Sequence, residues 1–283
     1  MTDRPTPPLP VMSTTRLLTS SSRRDLSVIE PTEGAVESVR ILRQTGGLHD
    51  GYDDHLVTTP FVPAWVKTVR FGVLAAVPLP AGLERVHESV LAALHPKERA
   101  LARSERGRRQ IELAGGRLAW RTAAASLGVE VSSWALLADS ARAPLCPPGV
   151  MVSLTHKEDL ALALVAPSEA GLVGIDLEGG ARDRSAIMTR VCRPEELVEV
   201  QALPEAERWP NVMLRFAVKE AIYKALAPRL GRFFGFQAAR VDVRSRESVA
   251  IELFLEPTDP RFDLEAELLW LDEHRVVAMV RAR

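Results

Sequence analysis

The 283-residue sequence predicts an α+β fold, and three observations predict it. Runs of β-type residues are followed by runs with helical periodicity and then by β-type runs again, instead of alternating strand by helix as a wound parallel sheet requires. The β-type runs are short and joined by turn residues. The same coarse order, strand then helices then strands, recurs in both halves of the chain.

The elements follow in order. Met1 to Ser27 is rich in Pro, Thr and Ser, with Pro5, Pro7, Pro8 and Pro10 and the run Ser20-Ser21-Ser22, the composition of a disordered extension. Residues 28 to 60 hold one short helical pattern, Ala35 to Arg43, before Gly46-Gly47 and a loop-like stretch, so residues 1–60 are expected to lie outside the folded part. From about residue 62 the chain reads as folded. Val66 to Val77 is expected as one strand, followed by helices over Leu83 to Leu94, after His95-Pro96, and from Gly107 to Leu127, where Gly128 supplies the stop. Asp139 to Gly149, with Pro144, Pro147 and Pro148, is a loop. Val150–Thr155, Leu160–Ala166 and Leu172–Glu178 read as strands. Ser185–Val191, Pro194–Leu203 and Arg208–Leu226 read as helices. Ala238–Arg244, Val249–Leu255, Leu264–Asp272 and Arg275–Val280 read as strands again.

Composition narrows the function classes. Thirty-six Lys+Arg balance 37 Asp+Glu, so no global field holds nucleic acid or an anionic membrane, and phosphate recognition has to be local. Cys146 and Cys192 are far apart and belong to no Cys/His cluster, which argues against a disulfide framework or a zinc site and fits a reducing cytoplasm. The longest apolar run, Phe71 to Leu83, is broken by Pro78 and Pro80 and falls short of the roughly 18 residues of a membrane span.

Four segments carry chemistry. In Val173-Gly174-Ile175-Asp176-Leu177-Glu178, strand alternation turns Val173, Ile175 and Leu177 toward a core and projects Asp176 and Glu178 from the other face. Those two carboxylates, with Cα atoms roughly 6.5–7 Å apart, suit one hard cation or simply a solvated sheet face. In Phe216 to Leu226, Glu220 and Lys224 share a helix face, either as a surface ion pair or as a third metal carboxylate with an ammonium one turn away. Val152-Ser153-Leu154-Thr155-His156-Lys157 ends a strand in hydroxyl, imidazole and ammonium, a set of donors that suits a phosphate; a structural histidine is the alternative. Arg109 and Arg117, eight apart on one helix, make either a solvated basic face or a guanidinium clamp for phosphate.

In this order and spacing the segments resemble the 4'-phosphopantetheinyl transferase superfamily, in its two-half, enterobactin- or surfactin-synthetase-activating form. The resemblance rests on Thr155-His156, on Gly174-Ile175-Asp176-Leu177-Glu178 about twenty residues later, and on Lys219-Glu220-Ala221-Ile222-Tyr223-Lys224 about forty residues beyond. Arg142-Ala143-Pro144 matches that branch's Arg-x-Pro loop. The family position usually held by Ser is Thr155 here, which keeps the hydroxyl.

The resemblance implies two pseudo-symmetric subdomains, about 61–169 and 170–283, each a small antiparallel sheet packed with helices, with the site in the cleft between them in a monomer. It implies an enzyme, a holo-[acyl-carrier-protein] synthase, that moves the 4'-phosphopantetheine arm of coenzyme A onto a serine of an acyl or peptidyl carrier protein and releases 3',5'-ADP. The two-half form points to a secondary-metabolism activator, serving polyketide or nonribosomal-peptide carriers. Asp176, Glu178 and Glu220 are implied as magnesium ligands, Glu220 as the base toward the carrier serine, and Lys224 as the group that stabilises the leaving phosphate. Arg109, Arg117, Arg142, Thr155, His156 and Lys224 are implied as contacts of coenzyme A. Glu195 and Glu196 stand where some members place a further acidic residue, with a helix first-turn role as the alternative. Phe233, Phe234 and Phe236 are candidates for the carrier contact, or for a buried loop anchor.

Overall fold

A computed structural model of the chain describes residues 61–139, 142–179 and 185–283. The N-terminal extension and the helix expected over 35–43 lie outside the described residues.

The chain begins with a hairpin, β1 (Trp65–Val69) and β2 (Gly72–Pro78). A single strand was expected over 66–77. The apolar run is continuous, but it reverses at Arg70-Phe71, and Gly72 opens the return because a Cβ there would run into the backbone of Val165. Three helices follow: α1 (Glu88–Ala92), α2 (Pro96–Ser104) and α3 (Gly107–Ser126). The helix expected over 83–94 is thus one short turn, started at His87, whose ring accepts the Ser89 amide. The hairpin β3 (Val150–Lys157) and β4 (Leu160–Pro167) completes an antiparallel sheet of order β1-β2-β4-β3.

β5 (Leu172–Gly179) starts a second sheet. The helices α4 (Met188–Val191), α5 (Pro194–Ala202) and α6 (Glu205–Leu230) come next, then the hairpin β6 (Ala239–Ser245) and β7 (Ser248–Leu253). Last come β8 (Leu264–Trp270) and β9 (Arg275–Ala282), which join β5 in the order β5-β9-β8.

Strand alternation explains how the layers close. In β2, Val73, Ala75 and Val77 pack under α3 with Ala114, Trp120 and Ala124. Leu74 and Ala76 face the other way and join Val173, Ile175, Leu177, Val277 and Met279 in one apolar cluster shared by the two sheets. On the far side of the second sheet, Val276, Ala278 and Val280 pack against Ala217, Ala221 and Ala225 of α6. Both sheets therefore bury two faces, and their central strands read as near-continuous apolar runs.

The helical layers are anchored by two buried carboxylates in equivalent places. Glu98 and Glu196 are each the third residue of a helix opened by proline, and both are fully buried. Each accepts the N-cap amide (from His95 at 3.1 Å and from Arg193 at 2.7 Å), closing a capping box. Each also accepts from a cation 23 residues downstream, Arg121 Nη2 at 2.8 Å and Lys219 Nζ at 2.6 Å. A second basic residue, an arginine nineteen residues downstream of each, lies beside it: Arg117 at 4.0 Å and Arg215 at 3.8 Å. A distant backbone amide completes each hub, Leu136 N at 2.8 Å and Val241 N at 2.6 Å. The coarse echo between the halves of the sequence thus has a repeated structural unit beneath it.

Removing one partner of a buried ion pair leaves the other charge uncompensated and costs about 3–5 kcal/mol. Glu196→Ala leaves the buried Lys219 ammonium without its carboxylate, while Arg215 keeps Glu199, so urea unfolding is expected to show a stability loss of about that size; a loss under about 1 kcal/mol would contradict the anchoring role.

Candidate active site

The site forms where α6 crosses β5. Gly174 permits the crossing: a Cβ at this position would overlap the Ala221 carbonyl and stand 2.7 Å from the Ala225 nitrogen. The contact lets Lys224, one residue before Ala225, reach over the strand. Its ammonium donates to the Ile175 carbonyl at 3.0 Å and to Asp176 Oδ1 at 2.7 Å. Asp176 and Lys224 are therefore brought together, as are Glu220 and Asp176, because Glu220 lies one turn before Lys224 on α6.

The edge of β5 meets the edge of β3 through side chains. Ser153 Oγ accepts the Ile175 amide at 3.1 Å, and Thr155 Oγ1 accepts the Leu177 amide at 3.2 Å. These outward-facing groups of an edge strand would otherwise lie buried without a partner. The Thr155 hydroxyl in turn donates to Asp176 Oδ1 at 3.2 Å. Asp176 Oδ2 is buried and has no hydrogen-bond partner among the described residues.

The remaining carboxylates are held in mutual repulsion. Glu178 is paired with Lys157, yet burial and the neighbouring Asp176 charge push its carboxyl above the usual carboxylate range. Burial raises Glu220 likewise, and the Asp176 and Glu178 charges add to the rise. Among the described residues, no three His, Cys, Asp or Glu side chains are gathered as metal ligands. Lys157 and Lys224 each occupy one carboxylate instead.

Beside Glu178 opens a cleft of about 580 Å³ lined by Arg108, Glu112, His156 and Lys157, among others. The His156 ring is exposed to the cleft, with Nδ1 3.4 Å from Glu112, which also accepts from Arg108 Nε at 2.9 Å. Desolvation holds the imidazole below its ordinary range; Glu112 opposes this, while Lys224, Arg109 and Arg108 reinforce it. Arg109 is exposed and stands in the same electrostatic neighbourhood.

Several expectations change. Arg117 does not share the Arg109 face: eight residues carry a helix about 80° past two full turns, and the side chain ends buried beside Glu98, its charge disfavoured by desolvation. It is part of the anchoring hub. Thr155 does not stand beside His156 in front of one ligand. Neighbouring strand residues face opposite ways, so Thr155 points to β5 and Asp176 while His156 points to α3 and Glu112. Arg142 is exposed, with φ 67° and its amide donating to the Asp139 carbonyl at 3.0 Å; no contact among the described residues joins it to the cleft. Glu196 is the buried hub of α5, and Glu195 is half-buried against Arg193. The three phenylalanines divide: Phe234 is buried, Phe236 packs on Phe216 at 5.4 Å between ring centres, and Phe233 is 76% exposed. The pairings of Glu112 with His156 and of Lys157 with Glu178 were not foreseen. The Arg108–Glu112 pair was open to inference, since the two lie four residues apart on a helix.

In sequence, the chain is similar to known proteins. The sequence model of the 4'-phosphopantetheinyl transferase superfamily matches residues 172–280, and that of the 4'-phosphopantetheinyl transferase N-terminal domain matches residues 97–166. The chain belongs to this superfamily and is an enzyme of its class. It is 31% identical over 169 residues to the 4'-phosphopantetheinyl transferase Npt of Nocardia iowensis, covering 58% of this chain and 73% of that protein. It is 30% identical over 148 residues to the 4'-phosphopantetheinyl transferase PptT of Mycobacterium tuberculosis, covering 52% and 63% respectively. A crystal structure of a holo-(acyl-carrier-protein) synthase from Bacillus anthracis in complex with CoA (3',5'-ADP) aligns with 39% of this chain and 94% of its own at a TM-score of 0.32 and 20% identity.

The raised carboxyl of Glu220 has a consequence for stability. Its folded-state value lies above the unfolded one, so its ionisation opposes folding, and that penalty is absent at low pH and complete above the folded-state value. In metal-free buffer Glu220→Gln is therefore expected to raise the melting temperature at pH 7 and to lose this advantage at pH 4. A lower melting temperature than wild type at pH 7 would contradict the repulsion.

Proposed function

We propose that the chain transfers the 4'-phosphopantetheine arm of coenzyme A to a serine of an apo carrier protein, releasing 3',5'-ADP. The observation that carries this reading is the divided carboxylate of Asp176: one oxygen is held by Lys224 and Thr155, the other is buried and unpartnered, and two further carboxyls with raised proton affinity stand near it. Three carboxylates against the two ammonium groups of Lys224 and Lys157 leave an excess of negative charge, and hard oxygen donors of this kind suit magnesium. Asp176, Glu178 and Glu220 are the residues that would hold it. When bound, the ion supplies Lewis-acid neutralisation of a pyrophosphate.

The chain's own groups divide the remaining work. His156, Arg108 and Arg109 offer donors at the cleft to the phosphates of coenzyme A, which lets a net-neutral chain bind a polyanion locally. Arg142, exposed on its turn, is available as a further phosphate contact. Lys224 holds its ammonium where the bridging oxygen of the pyrophosphate gathers charge as it leaves with 3',5'-ADP. Glu220 takes the proton from the carrier serine, directly or through a water, while the serine Oγ–P bond forms and the P–O bond to ADP breaks. Phe233, exposed beside Tyr223, is offered as the apolar contact of the carrier helix. We further propose the two halves 61–169 and 170–283 as the subdomains flanking this cleft, in a monomer acting in the cytoplasm, where Cys146 and Cys192 stay free thiols.

The experiment is to incubate the chain with coenzyme A, magnesium and an apo carrier protein, and to weigh the carrier. A serine-linked gain of the phosphopantetheine mass is expected, with Glu220→Gln slower by about 100-fold or more. An unmodified carrier, or coenzyme A breakdown that needs no carrier, would overturn the proposal.

A further inference from the structure

We propose that Thr155 is a positioning residue for Asp176 and not a contact of coenzyme A. Its hydroxyl, with the Lys224 ammonium, holds one oxygen of the carboxylate so that the other is presented to a divalent cation. This deepens the metal part of the function proposed above and rests on it.

A hydroxyl has one proton to give. That of Thr155 goes to Asp176 Oδ1 at 3.2 Å, while one of its lone pairs takes the Leu177 amide at 3.2 Å. The side chain is buried, and its face of β3 is opposite to that of His156. A phosphate at the His156 cleft therefore meets neither a free donor nor an exposed oxygen from Thr155. What the hydroxyl does reach is the same Asp176 oxygen that Lys224 holds at 2.7 Å. Two donors on Oδ1 fix the rotation of the carboxylate, and Oδ2 is left buried without a hydrogen bond among the described residues. Ser153 meanwhile locates β5 through the Ile175 amide at 3.1 Å, so the strand edges stay joined when the Thr155 hydroxyl is removed. Partners that orient a ligating carboxylate in this way are typically worth about 10–100-fold in metal affinity.

The test compares Thr155→Val, which keeps the shape and loses the hydroxyl, with Thr155→Ser, which keeps the hydroxyl. Binding of Mn²⁺ alone is followed by electron paramagnetic resonance, and binding of coenzyme A in metal-free buffer by calorimetry. We expect Thr155→Val to weaken Mn²⁺ binding by about 10–100-fold, Thr155→Ser to stay within about threefold of wild type, and both to keep their metal-free affinity for coenzyme A. Should Thr155→Val not remain folded, Thr155→Ala carries the same comparison. Unchanged Mn²⁺ binding by the hydroxyl-free variant, or a parallel loss of metal-free coenzyme A binding, overturns the positioning role. A wild-type chain that takes up no Mn²⁺ fails differently: it removes the metal reading of the site, and this inference with it.

Discussion

The close approach of α6 to β5 at Gly174 is the constraint on which the rest of the site depends. A helix packed on a sheet normally stands off by the depth of its side chains, and the residues on its flanks then point past the strand. Here a strand position without a Cβ meets Ala221 and Ala225, so helix backbone and strand backbone nearly touch. Only at that separation does the Lys224 ammonium bond both the Ile175 carbonyl and Asp176. The alanine pair on one side and the glycine on the other are thus as much part of the site as the charged groups they bring together.

That crossing concentrates charge of one sign in a place with limited water, and the protein answers it only in part. Lys224 and Lys157 each take a carboxylate, Thr155 adds a neutral donor, and Asp176 Oδ2 and Glu220 are left without comparable support among the described residues. Desolvation and repulsion raise both glutamates. The buried carboxylates of the hubs are the contrast. Glu98 and Glu196 are buried more deeply, yet each has an N-cap amide, two basic neighbours and a distant amide around it. One chain therefore contains buried acids that are fully answered, which anchor helices, and buried or half-buried acids that are not, the pattern on which the proposed site rests.

Much of this was legible in the residues. Alternation in Val173 to Glu178 assigned the core face and the carboxylate face correctly, and the helical spacing of Glu220 and Lys224 placed both on the side that meets the strand. The hairpin at Arg70-Phe71 was hidden because a two-residue reversal inside an apolar run leaves the periodicity unbroken. Arg117 was misassigned because an interval of eight looks like two turns, while the 80° excess decides between solvent and core. Thr155 and His156 were read as facing one ligand because they are adjacent along the chain, whereas strand geometry turns neighbours to opposite faces. The repeated hub could be read in retrospect from the equal spacing of Glu98, Arg117 and Arg121 and of Glu196, Arg215 and Lys219. With so few shared positions in each half, it does not appear as a sequence repeat.

The central claim is that Asp176, Glu178 and Glu220 form an incomplete anionic site that a divalent cation completes. Anomalous diffraction from crystals grown with Mn²⁺ and coenzyme A tests it most directly. The account predicts one strong peak in coordinating contact with Asp176 Oδ2 and both glutamates, with Lys157 displaced from Glu178. A peak elsewhere, or none while Lys157 still holds Glu178, would contradict it.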